Sequence, residues 1–270
     1  TDPEQKGAGG ISMIAVPCDA KGIDRTPLQK MGWHCSDTAH LRFDGVRVPA
    51  RNLLGREHQG FRIVMGNFNG ERLAMSALAL GFAEACHDEA LAWARERRTF
   101  GEALVERQVI RHKLMDMRMR IASTQAWLDQ LGDRIDAGDE GPDWVGHVCL
   151  LKNHSTQAMQ ANADAAVQIL GGMGYMRGTA CERIYREVKV MMIGGGAEEI
   201  MKELAARQLG PRAPPRHPPP RSSPSSCNCS RTCSSRRSSS TPCSASRSPP
   251  SRPIVWRAAS RCAPNSSAPT

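Results

Sequence analysis

The stretch LMDMRMRIASTQAWLDQLGDRI, residues 114–135, decides the fold. Leu114, Met117, Ile121, Thr124, Leu128, Leu131 and Ile135 step by three and four over roughly six turns, lining one side of an α-helix. Asp116, Arg118, Arg120 and Asp129 fall off that seam, as a helix with one buried side requires. Val148, Leu151, Ser155, Met159, Ala163, Ala166 and Leu170 repeat the pattern with smaller residues, which suits close helix contact. Residues 60–97 read as a third long helix and 197–208 as a short fourth. Glycines and Pro142 at 99–104 and 137–143 mark the loops. The expectation is a mostly α protein with a four-helix bundle over 57–210.

Outward from the bundle, the chain changes character at both ends. Residues 11–17 read as a buried strand stopped by Pro17, and 39–48 alternate with period two up to Pro49. Polar, glycine-containing turns lie between them. Two or three strands alone are marginal, so residues 1–56 read as the last strands of a larger β-barrel domain. Residues 211–270 hold ten arginines, no Lys, Asp or Glu, and thirteen of the eighteen prolines. That Arg/Ser/Pro-rich tail cannot bury enough apolar surface to order itself and reads as disordered. Cys227, Cys229 and Cys233 lack a second ligand pair at zinc-finger spacing. Translation of GC-rich DNA in an unrelated frame gives the same composition, so the tail receives no functional role.

The tail's ten positive charges exceed the whole chain's +9, which leaves residues 1–210 at −1. The body therefore gives no electrostatic reason to expect nucleic acid or a membrane surface. No uncharged run is long enough for membrane insertion. Cys18, Cys35, Cys86, Cys149 and Cys181 are scattered, and no signal peptide is seen, so a cytoplasmic setting is expected. The histidines show no metal-ligand spacing, and no metal is expected.

Several motifs carry a resemblance: GWHCSDTAHLRFDGVRVPARNLLG, GERLAMSALALG, ERRTFG at 96–101, QILGGMGY at 168–175, ERIYREVK, and MIGGGAEEI at 192–200. In this order they resemble the C-terminal half of an acyl-CoA dehydrogenase, from about residue 8 to 210. The resemblance implies the end of the family's β-barrel and its C-terminal bundle, with FAD as cofactor. Arg97 matches the arginine that meets the FAD pyrophosphate, for which a guanidinium fork is suited. Thr99 and Gln108 match further flavin contacts. Gln168, Ile169, Leu170, Gly171 and Gly172 match the segment that approaches FAD from a neighbouring subunit, where glycine lets backbone come close. The cofactor would then lie across a subunit interface in a homo-oligomer, a dimer or tetramer.

The reaction implied removes a proton next to a thioester carbonyl and a hydride from the following carbon. It needs a basic carboxylate kept from water and donors for enolate charge. The family's commonest glutamate falls at position 195, which here is Gly195; its backbone amide can still polarise the carbonyl. Isovaleryl-CoA and long-chain relatives carry the base on a helix, in a Glu-Arg-Leu segment that matches Glu71-Arg72-Leu73. Glu71 is therefore the expected base. Glu198 and Glu199 open a helix, where carboxylates suit the macrodipole, and are weaker candidates as base. Glu199 and Ala197 fall at flavin-contact positions, Ala197 in place of the usual threonine. Arg72, Asn69 and Gly196 match substrate-contact positions, with Asn69 where relatives often carry aspartate.

The implied activity is an FAD-dependent acyl-CoA dehydrogenase that passes electrons to an electron-transfer flavoprotein. Two alternatives stay open: an acyl-CoA oxidase that uses O2, and a truncated non-catalytic fragment. The chain length of the acyl group is not readable.

Overall fold

A computed structural model describes residues 2–210. The readings made for residues 211–270 lie outside the described residues. Before the helices come short antiparallel strand pairs. Strand β1 (Met13–Ile14) pairs with β4 (Leu53–Leu54), and β2 (Ile23–Pro27) pairs with β3 (Ala39–Phe43) in register Arg25 to Leu41. Two expectations need correction. The 11–17 segment forms only a two-residue strand with Ile14 exposed, because among the described residues it pairs only with the equally short β4. The turns expected before residue 39 include β2, whose mostly exposed IDRTP sequence has no apolar alternation to read.

Helix α1 (Gly60–Glu96) runs 37 residues. No proline interrupts 50–141, and the buried Ser76, Ala79, Ala83, Cys86, Ala90 and Ala94 recur every three or four residues. These small side chains let α3 (Trp144–Leu170) pack closely through Met159, Ala163 and Ala166. A hairpin, β5 (Arg98–Thr99) with β6 (Glu102–Ala103), turns the chain through Phe100 and Gly101, both at positive φ.

Helix α2 (Gln108–Asp136) follows and buries Leu114, Met117, Ile121, Thr124 and Leu131 of the expected seam. Each large apolar side chain so buried contributes about 1.5–3 kcal/mol. Ile135 remains 43% exposed, so the seam ends one turn early. There Arg134 pairs with Asp139 and Asp143, each at 3.1 Å, and lies over Trp144, fixing the turn into α3.

The bundle's fourth long helix is α5 (Ala180–Ile193), after the single turn α4 (Gly172–Tyr175). The sequence reading gave that place to 197–208. Cys181, Ile184, Val188 and Met191 step by three and four, and all are buried in the main core. Thr179 accepts from the Glu182 amide at 3.2 Å and starts the helix. Helix α6 (Glu198–Leu209) packs on α3 around Cys149, Met201 and Ala205. Among the described residues, no helix is long and apolar enough to cross a membrane.

Candidate active site

Two groups of expected site residues lie in opposite halves of α1. In the N-terminal half, around Arg72 and Met75, α1 meets the loop that joins α5 to α6. Gly195 and Gly196 have φ of +67° and +118°, conformations that glycine adopts without a Cβ penalty. Arg72, 5% exposed, donates from Nε to the Gly195 carbonyl at 3.0 Å. Its Nη1 donates to Asn69 Oδ1 at 3.2 Å, and its guanidinium lies 5.4 Å from the Phe68 ring centroid. Met75, one turn further along α1, closes over the same loop: a Cβ on Gly195 would sit 2.9 Å from Met75 Sδ.

Glu71 is half-buried beside this cluster, four residues before Met75 and so on the same side of the helix. It makes no hydrogen bond or ion pair with any described residue, unlike the solvated, paired carboxylate that a helix surface usually carries. The N–H groups of Gly195, Gly196 and Ala197 likewise have no acceptor among the described residues. Glu198 is committed elsewhere. It binds Lys202 at 2.6 Å and Gln157 at 2.6 Å, and the Lys202 hydrogen bond holds its carboxyl below the usual range.

Sequence reading missed the residues beneath the loop. Lys152, on α3, is 0% exposed and donates to the carbonyls of Met192 and Gly196, both at 2.8 Å. Burial pulls its ammonium down to about 8, with the Arg72 charge adding to the effect. Asn153 donates to the Glu198 carbonyl at 2.9 Å. A signal existed: Lys152 falls between Val148, Leu151 and Ser155, on the stripe that had been read as core.

At the far end of α1, a cleft of about 480 Å³ is lined by Trp93, Arg97, Thr99, Leu104, residues 169–172 and Met176, among others. It brings Arg97 and Thr99 together with Ile169, Leu170, Gly171 and Gly172. Arg97 is exposed and has no carboxylate partner among the described residues, whereas neighbouring Arg107 is tied to Glu102 at 3.1 Å and to the Thr99 carbonyl. A Cβ at Gly171 or Gly172 would meet nothing within 4 Å. The unpaired fork and open backbone fit a diphosphate, the charged centre of FAD. Gln108 and Gln168 are exposed and lie outside the lining. The side chains of Ile169 and Leu170 are mostly buried in the core, leaving Gly171 and Gly172 as the open part of that segment.

Residues 58–210 match the family model for the acyl-CoA dehydrogenase C-terminal domain. The chain belongs to the acyl-CoA dehydrogenase family. It is 36% identical over 216 residues to the probable acyl-CoA dehydrogenase YngJ of Bacillus subtilis, covering 77% of this chain and 54% of that protein. It is 36% identical over 208 residues to the mouse mitochondrial long-chain specific acyl-CoA dehydrogenase, covering 75% and 46%. The crystal structure of acyl-CoA dehydrogenase from Geobacillus kaustophilus is similar with a TM-score of 0.74 and 35% identity, over 77% of this chain and 55% of that one. The chain thus spans about half the length of the curated relatives it matches.

Proposed function

We propose that this chain supplies the acid–base half of an FAD-dependent acyl-CoA dehydrogenase, with Glu71 as the base. The observation that carries this reading is the pairing of an unpartnered, half-buried carboxylate with a loop of free amides whose position 195 has no side chain. Glu71 takes the proton next to the thioester carbonyl, and the carbon–hydrogen electron pair moves into the new double bond. Amides of the 195–197 loop accept the charge that gathers on the carbonyl oxygen. Arg72 holds that loop and, with Asn69, forms the wall on which the substrate rests. FAD, when bound, would supply the hydride acceptor for the second carbon, with an electron-transfer flavoprotein as the next electron acceptor.

One copy cannot assemble the whole site. Glu71 and Arg97 are 26 residues apart on or just past α1, about 39 Å at 1.5 Å per residue. The five-carbon ribityl chain between a flavin ring and its diphosphate is far shorter. The Arg97 cleft of one copy would therefore hold the diphosphate of a flavin that serves Glu71 of another, which supports a homo-oligomer.

The test is Glu71→Gln in the FAD-loaded full-length protein, assayed across short, long and branched acyl-CoA thioesters. Turnover falls by roughly 10³-fold or more, as expected when the reacting base is removed, with flavin content unchanged. Retention of most activity would overturn the assignment. Turnover with O2 faster than with a dye acceptor would point to an oxidase instead.

A further inference from the structure

Two buried cations meet at the α5–α6 loop, and neither has a carboxylate within ion-pair distance among the described residues. Arg72 reaches it from α1 and Lys152 from α3. Leaving buried charge unneutralised costs several kcal/mol unless other groups compensate. Here the compensation is three backbone carbonyls, those of Met192, Gly195 and Gly196, together with Asn69 Oδ1 and the Phe68 ring on the Arg72 side. Each peptide unit is planar and trans, so its N–H points opposite to its C=O. Holding the carbonyls of Gly195 and Gly196 from below turns the N–H groups of Gly196 and Ala197 away from the cations.

We propose that Lys152 is a positioning residue for the reaction at Glu71, its buried ammonium holding the Gly196 carbonyl so that, with the Gly195 carbonyl held by Arg72, the Gly196 and Ala197 amides face the thioester carbonyl. The inference rests on the reading of that loop given above. A methionine of similar length would fill the space but leave the Met192 and Gly196 carbonyls without a donor, so the contact also caps the end of α5. Beyond that, Lys152 places a positive group directly behind the peptide dipoles, which strengthens them as donors. Burial and the Arg72 charge act against that ammonium, while Glu198 favours it, so the site retains it against a desolvation cost.

The experiment compares wild type, Lys152→Met and Lys152→Arg in the FAD-loaded full-length protein. Three quantities are read: amide hydrogen exchange of the 193–200 peptide, washout of the substrate's α-hydrogen into D2O, and the separate values of kcat and KM. In Lys152→Met, loop exchange rises on the order of tenfold. Washout and kcat fall by roughly 100-fold, the scale of one lost oxyanion donor, with KM little changed. Lys152→Arg recovers a substantial part of both. If Lys152→Met does not fold, Lys152→Gln, which keeps two donors without charge, shows the same direction of change. Unchanged loop exchange, or a loss of kcat matched only by loss of bound flavin, overturns the proposal. Faster loop exchange with undiminished washout overturns it too. Washout that survives Glu71→Gln, by contrast, removes the underlying reading and leaves the clamp standing.

Discussion

Two pairs of glycines in this molecule look alike in sequence and differ in kind. Around Gly171-Gly172 an added methyl would enter open space. Around Gly195-Gly196 it would meet Met75 and Met201, and the backbone is already pinned by Arg72 and Lys152. The first pair borders the cleft that Arg97 also lines and leaves it open. The second is filled by the protein itself, so its glycines serve conformation and clearance. One backbone leaves room beside it and the other holds its amides fixed.

The largest expected effect on stability comes from Gly196→Ala. At φ +118° an alanine is strained, and its Cβ would collide with Met201 Cε, on a side chain that is 0% exposed and has little room to swing. Strain of about 1–3 kcal/mol adds to overpacking of about 1–3 kcal/mol, and thermal melting should show the drop.

A pH series tests the clamp by its charge. The buried Lys152 titrates near 8, against 10.5 in the unfolded chain. Between those values the unfolded state binds more protons, so stability supplied by this group rises with pH. The melting gap between wild type and Lys152→Met should therefore widen from pH 8 to 10, by at most about 1.4 kcal/mol per pH unit. A gap that narrows would mean that the group is not buried as described.

Gly171→Ala carries strain alone, since φ is +61° and ψ −130° with nothing nearby. We expect about 1–2 kcal/mol, with a larger loss in flavin affinity than in melting temperature. Gly172→Ala, at an ordinary φ, should change stability by less than about 0.5 kcal/mol, so flavin titration is its useful readout. Gly195→Glu sharpens the contrast in function. Alone it should not restore turnover to Glu71→Gln, because φ +67° and Met75 oppose a side chain there; Met75→Ala in addition relieves the second obstacle.

How far the sequence could be read follows the same division. The α2 and α3 seams were legible because alternation of burial with period 3.6 leaves apolar residues at fixed steps, and the structure buries Leu114, Met117, Ile121 and Leu131 as expected. Helix α5 carried an equally regular Cys181, Ile184, Val188, Met191 series, yet it went unread as a helix behind the family motif at its start. Strand β2 gave no signal, since nearly all of its side chains are exposed. Residues at the site that match by type, Glu71, Arg72 and the glycines, could be named from sequence. The place of Lys152 on the core stripe of α3 was visible, but its role was not, because its partners are backbone carbonyls 40 and 44 residues away.

Glu89 of α1 accepts from the amides of Ala180 and Cys181, at 3.1 and 2.7 Å, where α5 begins. Arg72 of the same helix grips the chain just past where α5 ends. The two jaws of a caliper thus sit on one rod, 17 residues or about 26 Å apart, with a 14-residue helix of about 21 Å held between them. Adding or deleting one residue of α5 would rotate its exit by about 100°, so the length of that helix is a gauge that sets where the 194–197 loop comes to rest.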